Sequence, residues 1–302
     1  MHFLIRLLGR MPLRVLHWLG AGLGWIAYAA DRTYRGRLSE NLARSGLATG
    51  HTAAPGGLGR VRRRAIAEAG RTIAELPAFW LRPQAALARW VRVTVGQQHL
   101  DEAHARGRGI LFLTPHLGAF EITPQWYGLA RPITVMYRRP KLAWLDPIVR
   151  AGRGRGQVSL VGADLGGVRA MLRALRAGQA AGLLPDQAPG AGEGVWADFF
   201  GRPAYTITLA ARLAKSTGAT VLMAVGRRLP AARGYELEFH PLPDPLPEDP
   251  QQAARAVNAA VEAVVARCPE QYLWSYNRYK QPAGAPPPPP LSTASPPPPG
   301  GA

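Results

Sequence analysis

Along residues 58–81, Val61, Ala65, Ile66, Ala69, Ile73, Leu76 and Phe79 return every three or four positions, which predicts an amphipathic helix. Residues 90–95 alternate like a strand, and 98–106 read as a short helix stopped at Gly107. Residues 110–114 form a continuous apolar run bounded by glycine and Pro115, the look of a strand buried on both faces. Further strands are predicted at 132–137, 180–184, 219–227 and 235–240, and helices at 142–150, 166–177, 207–216 and 251–267. Strand following helix in this rhythm predicts an α/β fold with a mostly parallel central sheet flanked by helices. Residues 31–50 are polar and Arg-rich, and 51–59 read as a Gly/Pro/Ala loop. From Pro282 the chain is Pro, Gly, Ala and Ser without charge, so 282–302 is expected to be a disordered tail. The chain therefore divides into residues 1–30, a domain at 31–281, and the tail.

Residues 1–30 have a different pattern. Arg6, Arg10 and Arg14 recur every four residues and would form one cationic stripe on a helix, with Phe3, Leu4, Leu7, Leu8, Met11, Val15 and Leu16 over much of the rest. That is the layout of a helix lying in a bilayer interface. The uncharged stretch 15–30, at about 1.5 Å per residue, reaches about 24 Å, short of the roughly 30 Å hydrocarbon core. A shallow or tilted membrane anchor is expected. A buried core helix and a secretory signal cleaved after Ala27-Tyr28-Ala29 are the competing readings, the latter weakened by His17, Gly20, Gly22 and Gly24 in the apolar run.

Composition narrows the class. Of 302 residues, 37 are Lys or Arg and 19 are Asp or Glu, a formal charge of +18, and 47% are hydrophobic. The single Cys268 excludes a disulfide framework, and the seven His show no HExxH spacing. A strong positive charge invites nucleic acid, yet no helix-turn-helix, RNP or zinc-finger pattern aims the arginines. Anionic lipid headgroups attract the same charge. The Arg62-Arg63-Arg64 triple is either a solvated face or a second membrane-facing patch.

The candidate chemistry lies where the first buried strand ends, at Thr114-Pro115-His116-Leu117-Gly118-Ala119-Phe120-Glu121. Open α/β sheets place their sites at the carboxyl ends of such strands. The spacing is His-x4-Glu. On a regular helix five residues rotate by about 500°, leaving the two side chains roughly 140° apart. They meet only if His116 precedes the first helical turn. Glu121 would then hold one imidazole nitrogen while the other takes a proton. No Ser or Cys nucleophile stands beside them, so the activated group would be a substrate hydroxyl. The glycine-containing helix start would offer amides to an oxyanion. Pro124 is expected to kink the following helix.

The blocks HLGAFE (116–121), MYRRP (136–140), LLPDQAPGAGEGVWADFFGRPAYT (183–206) and PEQYLWSYNRYK (269–280) resemble, in order, the bacterial lipid A late acyltransferases, a lauroyl/myristoyl acyltransferase family within the H-x4-D/E glycerolipid acyltransferases. The resemblance implies an acyltransferase domain at 31–281 on the cytoplasmic face of a bacterial inner membrane. It implies transfer of a fatty acyl chain from acyl carrier protein to a hydroxyl of a lipid A precursor, with the carrier thioester as donor and no cofactor, metal or nucleic acid. Another acceptor lipid, such as a lysophosphatidate, and a non-catalytic lipid-binding role are the alternatives. His116 would be the general base, oriented by Glu121. Arg138 would hold a phosphate or the pantetheine linker, and Arg153, Arg155, Arg278 and Lys280 are further basic candidates. Asp186 would fix one of the arginines, and Val195, Trp196, Phe199 and Phe200 would line the acyl groove or simply pack. Where the family usually carries His-Arg-Arg, this chain has Tyr276-Asn277-Arg278.

Overall fold

A computed structural model describes residues 2–47, 57–140 and 142–290. Its strands are β1 (Val91–Val95), β2 (Ile110–Leu113), β3 (Ile133–Tyr137), β4 (Val158–Gly162), β5 (Ala180–Leu183), β6 (Gly194–Phe199), β7 (Arg202–Ile207), β8 (Thr220–Arg228) and β9 (Tyr235–Pro241). The helices are α1 (His2–Arg10), α2 (Leu13–Ala30), α3 (Arg32–Arg44), α4 (Gly57–Leu81), α5 (Gln84–Ala88), α6 (Gln97–Arg106), α7 (Ile122–Tyr127), α8 (Asp146–Arg153), α9 (Leu165–Arg176), α10 (Leu209–Thr217) and α11 (Pro250–Arg267). Seven strands form one sheet in the order β1-β9-β8-β2-β5-β3-β4. All neighbours are parallel except β8 and β9. The expected α/β class with a mostly parallel sheet is what the chain adopts.

Alternation along each strand feeds two cores. On β2, Leu111 and Leu113 face a core shared with α3, α9, α10 and α11, through Leu42, Met171, Leu213 and Val257. Ile110 and Phe112 face the opposite core with Phe79, Leu100, Tyr127 and Val149. Both faces are covered, which is why β2 reads as an unbroken apolar run.

The N-terminal segment departs from the continuous helix expected for it. Pro12 divides it into α1 and α2, so no single stripe runs from Arg6 to Arg14, and the Arg6 side chain lies outside the described residues. One face of α2 is packed against α4. His17, Gly20 and Gly24, which interrupt the apolar run in sequence, are buried together with Leu13 and Leu16. A Cβ on Gly70 of α4 would lie 1.9 Å from the Gly20 carbonyl oxygen, so the two backbones touch there. Trp18 (76% exposed), Leu23, Trp25 and Ile26 (65% exposed) point away from the protein. Among the described residues no helix is long and apolar enough to cross a membrane.

Other differences have local causes. Residues 32–44 are helical because the Asp31 carboxylate accepts from the amides of Thr33 and Tyr34, a cap that outweighs a polar composition. Pro124 falls in the first turn of α7, where its missing N–H has no intrahelical partner to lose, and no kink results. Helix 142–150 starts later, with a 3₁₀ turn (Ala143–Leu145) leading into α8. β4, on the sheet edge, and the antiparallel β6–β7 hairpin are additional elements. The expected loop at 51–59 lies outside the described residues up to 56, as do residues 291–302 of the tail. Before them, Ala285 is buried against Trp196 and Tyr205, and the Trp196 indole donates to the Pro286 carbonyl at 2.9 Å.

Gly70→Ala should lower stability by about 1–3 kcal/mol, because the added methyl has backbone rather than side chain to displace. Urea unfolding measures this, and an unchanged midpoint would contradict the α2–α4 contact. A second expectation concerns Glu238 of β9. Burial pushes its carboxyl up, but hydrogen bonding to His240, the charge of Arg267 and bonding to Arg227 outweigh it and hold it at about 2. A depressed carboxylate stabilises above its unfolded value of 4.5, and that contribution is lost as pH falls through about 2. Between pH 5 and 2 the thermal midpoint of the wild type should therefore fall more steeply than that of Glu238→Gln.

Candidate active site

β2 and β5 pair in parallel with Leu113 opposite Leu183, and the Thr114 amide continues the ladder onto the Leu183 carbonyl at 3.0 Å. Each strand then leaves the sheet through an x-Pro step, Thr114-Pro115 and Leu184-Pro185. His116 and Asp186 are thus both three residues past a register pair, and they meet. The Asp186 Oδ1 accepts from His116 Nδ1 at 2.8 Å, and Oδ2 accepts from the His116 amide at 2.8 Å. Asp186 is fully buried. Burial alone would raise its carboxyl, but the charge of His116, two bonds from that residue and the Arg278 charge hold it below the ordinary carboxylate value. With Nδ1–H committed, Nε2 is the acceptor. It faces the Gln187 carboxamide, whose Nε2 lies 3.2 Å away.

This arrangement corrects the pairing expected from sequence. Glu121 does not hold the imidazole. It occupies the turn just before α7, where its carboxylate accepts from Arg153 Nε at 2.9 Å and from Nη2 as well. Asp186 in turn fixes the histidine and not an arginine. The reason is geometric: parallel register sets His116 beside Asp186, whereas five residues of turn carry Glu121 round toward α8. Arg153 lies 5.5 Å over the Tyr137 ring, and Glu121 keeps its guanidinium charged in spite of burial. The matched ends Leu-x-Pro-His and Leu-x-Pro-Asp are the sequence signal that marks the true partner.

The other candidates separate clearly. His116, Glu121, Arg138 and Arg153 line a cavity of about 730 Å³, with Arg138 exposed at the end of β3. Its apolar wall draws on both cores: Phe112, Ile133 and Val158 from one, Leu183 and Leu209 from the other. Arg155 is elsewhere, spending its guanidinium on the carbonyls of Gly152, Arg82 and Phe79 and tying the end of α8 to the end of α4. Arg278 is buried and donates to the Tyr205 carbonyl, Thr206 Oγ1 and Asn258 Oδ1, which makes it a strut behind Asp186. Lys280 is exposed, 5.8 Å over the Tyr276 ring. Val195, Trp196, Phe199 and Phe200 belong to the hairpin and the residue after β6, and are absent from the cavity wall. Phe199 packs in the core with Phe200 against it, and Trp196 packs against Tyr205 and Ala285.

The turn after His116 is held by backbone. Gly118 has φ +60°, and a Cβ on it would lie 2.3 Å from the Gly226 carbonyl oxygen. The Gly118 amide donates to the Gln271 carbonyl, the Ala119 amide to the Gly226 carbonyl, and the His116 carbonyl accepts from the Leu273 amide. The amides of Leu117, Gly118 and Ala119 are therefore already bonded, contrary to their expected service as oxyanion donors. Arg228 of β8 donates to the Gly118 carbonyl at 2.9 Å from a fully buried position. The same guanidinium binds Glu75 and Glu68 of α4, and Glu75 also meets His17 of α2 at 3.2 Å and Tyr235 Oη at 2.9 Å.

Comparison with known proteins places these features. A family model described as bacterial lipid A biosynthesis acyltransferase matches residues 1–281. The chain is 28% identical over 285 residues to the lipid A biosynthesis lauroyltransferase of Escherichia coli (strain K12), covering 92% of this chain and 89% of that protein. It is 28% identical over 281 residues to the lipid A biosynthesis palmitoleoyltransferase of the same organism, covering 91% and 88%. Over 186 residues it is 34% identical to a lipid A biosynthesis acyltransferase of Haemophilus influenzae, covering 60% of this chain and 56% of that one.

Arg228→Met should cost about 3–5 kcal/mol, since it leaves the fully buried Glu75 carboxylate without its arginine, while Glu68 keeps only Arg71. Denaturant unfolding is the measurement, and a loss below 1 kcal/mol would contradict the assigned network.

Proposed function

Because the chain belongs to the bacterial lipid A biosynthesis acyltransferase family and is an O-acyltransferase, we propose that it moves a fatty acyl chain from an acyl carrier protein thioester to a hydroxyl of a lipid A precursor. The observation that carries the mechanism is the His116–Asp186 pair opening on the cavity. Asp186 fixes the imidazole with Nε2 as the free base and stabilises the imidazolium once the proton arrives. The hydroxyl oxygen attacks the thioester carbonyl carbon as its proton passes to Nε2. Collapse of the tetrahedral intermediate breaks the carbon–sulfur bond, and the proton moves from the imidazolium to the departing thiolate. A thioester is already activated, so the reading calls for no cofactor or metal.

The apolar wall suits a fatty chain, and Arg138 at the rim is placed for an anionic group of either substrate. Glu121 and Arg153 form a second ion pair in the wall and shape the polar end of the cavity. The net charge of +18 and the outward Trp18, Leu23, Trp25 and Ile26 of α2 support work at the cytoplasmic face of an inner membrane, with α2 lying in the interface.

His116→Ala should lower transfer from acyl carrier thioesters to a tetra-acylated precursor by about 10²–10⁴ while leaving the circular dichroism unchanged. Asp186→Asn should lower it comparably, because the amide no longer selects the productive tautomer. Full activity in His116→Ala overturns the reading. Mass spectrometry of lipid A from cells lacking the gene should show the loss of one acyl chain, and an unaltered spectrum would exclude lipid A as the acceptor.

A further inference from the structure

We infer that Gln187 is a catalytic residue, the side-chain amide that donates to the oxyanion formed on the substrate carbonyl. The inference rests on the acyl-transfer reading above and adds a group that reading does not use. Attack on a thioester drives the carbonyl electron pair onto oxygen, and in a water-poor site that charge needs a donor aimed at it beforehand. The amides of Leu117, Gly118 and Ala119 are bonded to backbone carbonyls, and Arg153 turns Nε and Nη2 onto Glu121. Gln187 lines the cavity, and its carboxamide nitrogen lies 3.2 Å from His116 Nε2.

That nitrogen occupies the place an incoming hydroxyl must take to give up its proton. In the resting protein the carboxamide caps the base. When the hydroxyl arrives, the displaced N–H group remains on the same turn, beside the point of attack. The oxyanion is only two bonds from the attacking oxygen, so a donor that reached Nε2 reaches it after a small side-chain rotation. The turn itself is anchored. Pro185 precedes Asp186, Pro189 follows Ala188, and the Ala188 amide donates to Tyr276 Oη at 3.0 Å. Donation to the oxyanion ends when the carbonyl re-forms and the thiolate leaves with the proton from His116. Gln187 itself neither gains nor loses a proton.

The test compares the wild type with Gln187→Met, which keeps the volume without a donor, and Gln187→Ala. Transfer from an acyl carrier thioester is followed across pH, with thermal midpoints to confirm folding. The expected result is a fall in kcat of about 10²–10³ in both, with KM within about threefold and an unmoved pH profile. Wild-type kcat in either folded variant overturns the inference. So does a loss that disappears at another pH, since Gln187 would then act through the imidazole. Absence of transfer in the wild type would overturn the acyl-transfer reading and this assignment with it, whereas transfer by the wild type together with undiminished kcat in the Gln187 variants overturns this assignment alone.

Discussion

The parallel register of β2 on β5 is the constraint on which the site depends. Evenly spaced ladder bonds hold Leu113 opposite Leu183, and both strands are buried on both faces, so neither can slip without exposing its apolar set. Two equivalent x-Pro exits then carry a base and an acid to the same height above the sheet. Proline makes that exit reproducible, because it fixes its own φ and cannot extend the ladder. The contact between His116 and Asp186 is thus an outcome of strand pairing in the core, made before any side chain in the cavity is considered.

A second constraint keeps the base in place from below. Arg228 is fully buried, which is tolerable only because Glu75 and Glu68 neutralise it and the Gly118 carbonyl accepts a further hydrogen bond from it. Glu75 is shared with His17 on α2. One polar cluster therefore ties the outward-facing N-terminal helices, the long helix α4 and the turn that carries His116. The glycine contact between α2 and α4 serves the same end, since only close backbones let His17 reach Glu75.

Much of this was legible in the amino-acid pattern. Period-two and period-3.6 segments located the main strands of the sheet and helices α4, α6, α9, α10 and α11, and the buried run ending at Thr114 located the turn that carries His116. What escaped was non-local. Spacing along the chain favours Glu121 as the partner of His116, because five residues separate them, while Asp186 is seventy residues distant and is brought near by register alone. Arg155 and Arg278 look like anion ligands in sequence. The Arg155 guanidinium and the two terminal nitrogens of Arg278 are bonded instead to carbonyls and neutral side chains of other segments. Gly20 and Gly24 of α2 look like flaws in an apolar anchor and turn out to lie on its contact face. The aromatic stretch 195–200 was ambiguous because a hairpin strand and a groove wall share the same composition.

The division between the two carboxylates has a chemical consequence for the proposed reaction. Had Glu121 and Asp186 both faced the imidazole, two anions would bias it strongly toward the protonated form, and a base already protonated cannot accept from a hydroxyl. Arg153 removes that difficulty by neutralising Glu121 within the same wall, leaving one carboxylate to orient the ring. The cavity then presents one oriented imidazole and one compensated ion pair, with Arg138 at its rim. In the proposed reaction a fatty chain would lie along the apolar wall, and the anionic part of a substrate would stay at the rim with Arg138. The positions of the charges, rather than their number, divide the cavity into an apolar interior and a charged rim, which is the division the proposed acyl transfer requires.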